Sequence, residues 1–170
     1  AIDYSAYTTA TDVVLTGSDA NGYAGTDGGI TGGFSHIDTL TGSSTAGNSL
    51  TGENTTNTWT ITGANAGTLN DGSETLTFSN VGTWNGGTAT DTLVGDNGGD
   101  AFNITANDAG NVTGLVTSFT SMQNLTGGSG NDTFTFSNGK TLSGTVDGTT
   151  GSDAIDYSAY TTATDVVLTG

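Results

Sequence analysis

The chain has 170 residues, with 17 acidic groups against a single Lys140 and no arginine, for a formal net charge of -16 at pH 7. A surface of that sign repels nucleic acid and anionic membranes and can attract divalent cations. With no cysteine in the chain, neither disulfides nor a thiolate metal site can hold the fold.

Glycine occurs 29 times, threonine 37 times and proline not at all. Regularly placed aromatic and β-branched residues set the chain apart from a disordered polar segment. No apolar run approaches the roughly 20 residues that cross a bilayer, so no membrane insertion by this segment is expected. The first residue is Ala1 rather than Met, and the chain reads as an excerpt of a longer one.

In chain order, residues 1 to 17 read AIDYSAYTTATDVVLTG. The next pattern is Phe34-Ile37-Leu40-Gly42, with apolar residues three and six places after a phenylalanine. It recurs as Phe78-Val81-Trp84-Gly86 and Phe119-Met122-Leu125-Gly127. Spacing by three hints at helix, but the intervening Ser, Thr, Asn, Asp and Gly are poor or middling helix formers. The expected reading is strand, corner, strand, with glycine supplying positive φ at the corner. Between these segments lie TNTWTIT (56–62), SETLTFS (73–79) and NDTFTFS (131–137), whose period of two predicts strands. A further pairing runs from Ile61-Thr62 through Gly67 to Leu69, and from Ile104-Thr105 through Gly110 to Val112.

A second motif recurs throughout: Gly, four residues, Asp or Asn, Thr or Ala, then an apolar residue. Its copies are Gly52-Asn57-Trp59, Gly86-Asp91-Leu93, Gly95-Asp100-Phe102, Gly127-Asp132-Phe134 and Gly148-Asp153-Ile155. A copy with one extra residue has Gly42, Asn48 and Leu50. The apolar members, together with Ile61, Ile104 and Tyr157, are expected to point inward in stacked columns. The Asx side chain is suited to bonding nearby backbone N–H groups and setting a turn.

Residues 154 to 170 repeat residues 1 to 17 letter for letter, at an offset of 153. Identity over 17 positions implies a tandem array of 153-residue units. Residues 1–153 form one full unit and 154–170 the start of the next, with no separate linker. Blocks from Gly42, Gly86 and Gly127 span 44, 41 and 21 residues, which suggests a natural unit of 21 or 22. The expected fold is all-β, a parallel β-solenoid of about seven rungs per repeat. Such rungs bury their apolar faces only by stacking, with an axial rise of about 34 Å at roughly 4.8 Å per strand.

The segment GGSGNDTFT, Gly127 to Thr135, resembles the nonapeptide of RTX (hemolysin-type calcium-binding) repeats. Gly86 and Gly95 also lie nine residues apart. In that family Gly carbonyls and the Asp side chain bind Ca²⁺ between turns of a β-roll. The resemblance makes Asp91, Asp100, Asp132 and Asp153 the calcium candidates, and their carboxylates are hard ligands of the right kind. The match is closest at Gly127; Gly86 to Leu93 lacks the fourth-position glycine, and Asn57 replaces the expected Asp. Turn capping by the same side chains is the structural alternative. Phrases such as FSHIDTLTG, SDAIDYSAY and NLTGGSGNDTFTF make the whole chain similar to the repeat regions of giant bacterial hemagglutinin-like surface proteins and adhesins.

These observations lead to a structural expectation: the shaft of an extracellular or cell-surface bacterial adhesin or filament, serving adhesion or biofilm, with no enzymatic role and no required cofactor. Its partners would be neighbouring identical repeats, other shafts in lateral association, or cell-surface ligands. A calcium-dependent RTX-like binding module is the alternative. Ice binding through Thr-x-Thr rows and a polysaccharide-processing β-helix are the lesser readings. His36, the sole histidine, is expected to point outward, and Trp59 and Trp84 to belong to the core.

Overall fold

A computed structural model describes residues 1–167; residues 168–170 lie outside the described residues. Among the described residues every regular element is a strand. The first strands are β1 (Ile2–Asp3), β2 (Asp12–Asp19), β3 (Gly22–Asp27), β4 (Ile30–Ile37), β5 (Thr39–Thr41) and β6 (Ser49–Thr51). Then come β7 (Thr58–Gly63), β8 (Ala66–Asn70), β9 (Thr75–Ser79), β10 (Thr83–Asn85), β11 (Thr92–Val94) and β12 (Ala101–Ala106). The last are β13 (Ala109–Val112), β14 (Val116–Thr120), β15 (Asn124–Thr126), β16 (Thr133–Phe136), β17 (Val146–Asp147) and β18 (Ala154–Asp156).

These strands form two facing sheets. The first has eight strands in the order β1-β5-β9-β8-β7-β11-β15-β17. The second has ten, in the order β18-β16-β12-β13-β14-β10-β6-β2-β3-β4. The chain alternates between them, and strands from successive circuits pair in parallel, as in Thr92↔Thr58, Leu93↔Trp59 and Val94↔Thr60. The protein is a parallel β-solenoid.

Three antiparallel meanders interrupt the regular coil: β2-β3-β4, β7-β8-β9 and β12-β13-β14. They account for the long blocks between motif glycines. From Gly127 to Gly148 the chain makes one plain circuit, whereas the 44- and 41-residue blocks each contain a meander. Setting aside the two added strands of each meander leaves six levels in each sheet. Each middle strand carries a glycine opposite a phenylalanine of the third strand: Gly25↔Phe34, Gly67↔Phe78 and Gly110↔Phe119. The ring lies over that glycine; a Cβ on Gly67 would meet Phe78 Cζ at 3.0 Å.

The corners after each meander are strand-corner-strand, but glycine does not supply their positive φ. His36 (φ 58°), Asn80 (φ 55°) and Ser121 (φ 55°) do, each two residues after the phenylalanine. Asn and His are both enriched in that region, whereas Ser is not among the residues that favour it.

The pleat sends alternate residues inward, so Trp59 and Ile61 are buried and Thr58 is exposed. The Thr-x-Thr alternation follows from that pleat. Trp59, Trp84 and Phe78 form one aromatic cluster, the two indoles stacked with centroids 5.8 Å apart. Phe102 stacks on Phe134 at 4.8 Å. Leu93, Ile104 and Phe134 are also buried as expected. Ile155 and Tyr157 are not: Ile155 is exposed and Tyr157 half-buried. β18 is the last strand of its sheet, so no strand among the described residues pairs beyond it.

Candidate functional site

The Gly-x4-Asx motif builds the crossings between sheets. Asn48, Asp100, Asp132 and Asp153 sit in crossings from the eight-stranded to the ten-stranded sheet; Asn57 and Asp91 sit in crossings the other way. The four aspartates singled out in the sequence are therefore divided between the two edges of the solenoid. Asp100, Asp132 and Asp153 share one edge and Asp91 lies on the other.

Asp91, Asp132 and Asp153 each tie their crossing to the preceding one on the same edge. Asp132 Oδ1 accepts the Asp100 backbone N–H at 2.8 Å, and Asp153 Oδ1 accepts that of Asp132 at 2.9 Å. On the opposite edge Asp91 Oδ1 accepts the Asn57 backbone N–H at 2.8 Å and its Nδ2 at 3.0 Å. The Asp91 N–H in turn donates to Gln123 Oε1 at 2.7 Å. The side chains form hydrogen-bonded ladders along the fibre axis, which is the turn-setting role expected of them.

The motif glycine is fixed by the same geometry. The second Asx atom lies directly over the glycine Cα, so a Cβ on Gly86 would come within 2.6 Å of Asp91 Oδ2. A Cβ on Gly148 would come within 2.5 Å of Asp153 Oδ2. Only glycine admits that approach.

Asn and Asp use that second atom differently. Asn48 Nδ2 donates to the carbonyls of Ser43, Thr45 and Asn80 at 2.8, 3.0 and 2.7 Å. Asn57 Nδ2 donates to those of Glu53 and Thr55 at 3.0 and 2.6 Å. Asp100 Oδ2 accepts the Asp96 N–H at 2.9 Å. Asp91 Oδ2 and Asp132 Oδ2 are buried with no partner. An acceptor oxygen thus occupies the place where asparagine puts a donor. Loss of hydration pushes the Asp91 carboxyl up to about 6 from its ordinary 3.8. Burial, followed by the nearby Asp96 charge, does the same to Asp100, also to about 6.

Those shifts carry a testable sign. Both carboxyls bind a proton more readily in the folded chain than in the unfolded one. Their contribution to stability is fully present below 3.8 and is lost as pH rises through about 6. The melting temperature is expected to be higher at pH 5 than at pH 7, by on the order of 5 °C. The Asp91→Asn, Asp100→Asn double variant should show a flatter profile over that window in thermal scans. An unchanged slope would assign the dependence to general charge repulsion instead.

Sequence reasoning did not single out two features. Gln123 joins the ladder from a three-residue corner, 121–123, that lacks the motif glycine. A cluster of Glu53, Asp71, Ser18 and Tyr23 joins the first two meanders. Ser18 donates to Asp71 Oδ2, and the Tyr23 hydroxyl donates to the Glu74 carbonyl at 3.0 Å. Burial, then Asp71, raises the Glu53 carboxyl. Although Asp71 is itself partly buried, the donors Ser18, Glu74 N–H and Ser73 hold it well below the usual range. No linear spacing signals this group, because its members lie on separate circuits.

Among the described residues, no three or more His, Cys, Asp or Glu side chains gather as a metal-ligating set. His36 is exposed, with Nε2 3.2 Å from Asp19 Oδ2 on the same meander. Trp59 and Trp84 are fully buried. No family model, curated protein or solved structure matches the chain.

Proposed function

We propose that this chain is a segment of a structural shaft, the repeating stalk of a giant extracellular bacterial surface protein of the adhesin or filament kind. The observation that carries this reading is the exact 17-residue recurrence at an offset of 153, set in a solenoid whose end strands present open edges. A solenoid contacts only its neighbours, so equal copies lengthen it without altering any copy. Its outer faces suit that work: rows such as Thr39↔Thr77 and Thr58↔Thr92 cover the sheets with neutral hydroxyls. In intact cells, antibodies raised to this repeat should decorate extracellular fibres at regular intervals along their length. Label confined to one end of a fibre, or to the cell interior, would overturn the reading.

A calcium-dependent RTX-like module is the second reading, favoured by the buried, donor-less Oδ2 atoms of Asp91 and Asp132. One variant separates the two. In a metal-free shaft, Asp132→Asn replaces an unpaired acceptor with a donor such as Asn48 and Asn57 use, and should stabilise by about 1 kcal/mol at pH 7. Chelator should then leave the melting temperature unchanged. In a calcium module, millimolar Ca²⁺ raises the melting temperature saturably by mass action, and Asp132→Asn abolishes that rise.

A further inference from the structure

Residues 1–17 and 154–170 are identical in sequence, yet their first strands, β1 and β18, stand in opposite sheets. β1 holds Ile2 in the eight-stranded sheet, paired with Leu40. β18 holds Ile155, the same residue one copy later, in the ten-stranded sheet, paired with Phe134. The local conformation is the same in both places. Ser5 N–H donates to Asp3 Oδ1 at 2.8 Å, and Ser158 N–H to Asp156 Oδ1 at 2.7 Å. Tyr7 N–H donates to the Tyr4 carbonyl at 2.8 Å, and Tyr160 N–H to that of Tyr157 at 2.9 Å. The Tyr4–Tyr7 and Tyr157–Tyr160 rings meet edge to face at 4.9 and 5.0 Å.

The cause is an odd number of crossings. With each meander kept on one sheet, the chain passes between sheets eleven times from β1 to β18. An even number would return the repeat to its starting sheet. From this we infer that successive 153-residue copies stack with their two faces exchanged, each rotated by about half a turn about the fibre axis relative to the last. The inference rests on the tandem-shaft reading and adds the relation between its copies.

The partner of each end is therefore another copy of this chain. Among the described residues β18 has no strand on its outer side; in the array that neighbour is the next copy's β5, as β5 flanks β1 here. β1 lacks the neighbour that β16 gives to β18, so the preceding copy's β16 completes it. Exposure agrees. Ile2 is 9% exposed and Ile155 53%; Val13 is 1% exposed and Val166, its equivalent, 68%. The same side chains are covered where β5 and β6 pair alongside them and bare where no such strand is described. The contact is head-to-tail and does not close on itself, so it propagates as a filament.

The strand count sets the rise. The eight-stranded sheet holds eight levels from β1 to β17, and the ten-stranded sheet holds nine before β18. At roughly 4.8 Å per level, each copy advances the fibre by about 38–43 Å. This exceeds the 34 Å expected from seven rungs, because the meanders take up axial length.

The test uses a chain of three successive 153-residue copies, with cysteine replacing Thr77 in each and carrying a gold label. Thr77 is exposed on the outer face of β9, and the chain has no other cysteine. Thr58→Cys, exposed on β7 of the same sheet, serves if the first variant does not fold. Cryo-electron microscopy should show labels alternating between opposite faces, with the first and third on one face about 76–86 Å apart, twice the single-copy rise. Three labels on one face of a straight rod would overturn the face exchange and leave the shaft reading standing. Labels at variable spacing and direction, as on separately tumbling domains, would overturn both.

Discussion

Replacing Trp59 by alanine is expected to cost about 3–5 kcal/mol, the range for truncating a large buried aromatic. Trp59 is fully buried on β7. It is paired in register with Leu93 of the next circuit and Leu69 of its own meander. Its ring stacks on Trp84 and meets Phe78 edge to face, each at 5.8 Å. Removing the indole opens a cavity between two sheets whose backbones are pinned by parallel ladders, so the walls cannot collapse to fill it. Stabilities of ordinary domains are about 5–15 kcal/mol, and this loss would be a large share of such a total. Trp59→Phe should cost far less. It keeps most of the ring and removes an indole N–H that is buried without an acceptor. Urea unfolding followed by Trp84 fluorescence measures both variants. A loss below about 1 kcal/mol for Trp59→Ala would mean that the two sheets do not share the tight core described.

The strands and the core were legible because the pleat has a period of two and the inward residues are large and apolar. Trp59, Ile61, Phe102 and Phe134 occupy the positions the motif gave them. The meanders were not legible as such, for the same reason. Alternation is identical in parallel and antiparallel strands, so TWTIT followed by AGTLN reads equally well as two rungs or one hairpin. The signal that could have decided it was Gly67 opposite Phe78, repeated at Gly110 and Phe119. A strand glycine marks close approach, and here the approach is by a ring from the adjacent strand. The corner at His36 was opaque for a different reason, since FSHIDTLTG offers both His36 and Asp38 as residues that take positive φ and nothing in it chooses between them. Of the candidate site, the Asx ladder was legible in its spacing. Its division between two edges was not, because that depends on which crossings run in which direction. The Glu53–Asp71 contact depends on the meanders themselves, and so could be found only after they were.

Gly95→Ala is expected to destabilise the protein by about 3 kcal/mol, at the upper end of overpacking costs. The glycine follows β11, and an added methyl would strike two groups at once: the Gly127 carbonyl of the adjacent circuit and Asp100 Oδ2 above it. Neither can swing aside. Gly127 is held by its own N–H bond to the Asp147 carbonyl at 2.8 Å. Asp100 Oδ2 is held by the Asp96 N–H, and the Asp100 backbone N–H donates to Asp132 Oδ1 at 2.8 Å. Relief requires the two circuits to separate, which breaks the ladder and the β11–β15 pairing that includes Leu93↔Leu125. Adding Asp100→Ala removes one of the two clashes and leaves the backbone one, so the double variant should remain well below the wild type. Gly17→Ala is the matched control. A Cβ there meets nothing within 4 Å, and its effect should fall within about 0.5 kcal/mol. Equal stabilities for Gly95→Ala and Gly17→Ala in urea would mean that the circuits are not stacked at strand spacing. The contact between Gly95 and Gly127 exists only if the coils are in register, so such a result would remove the solenoid on which the shaft proposal stands.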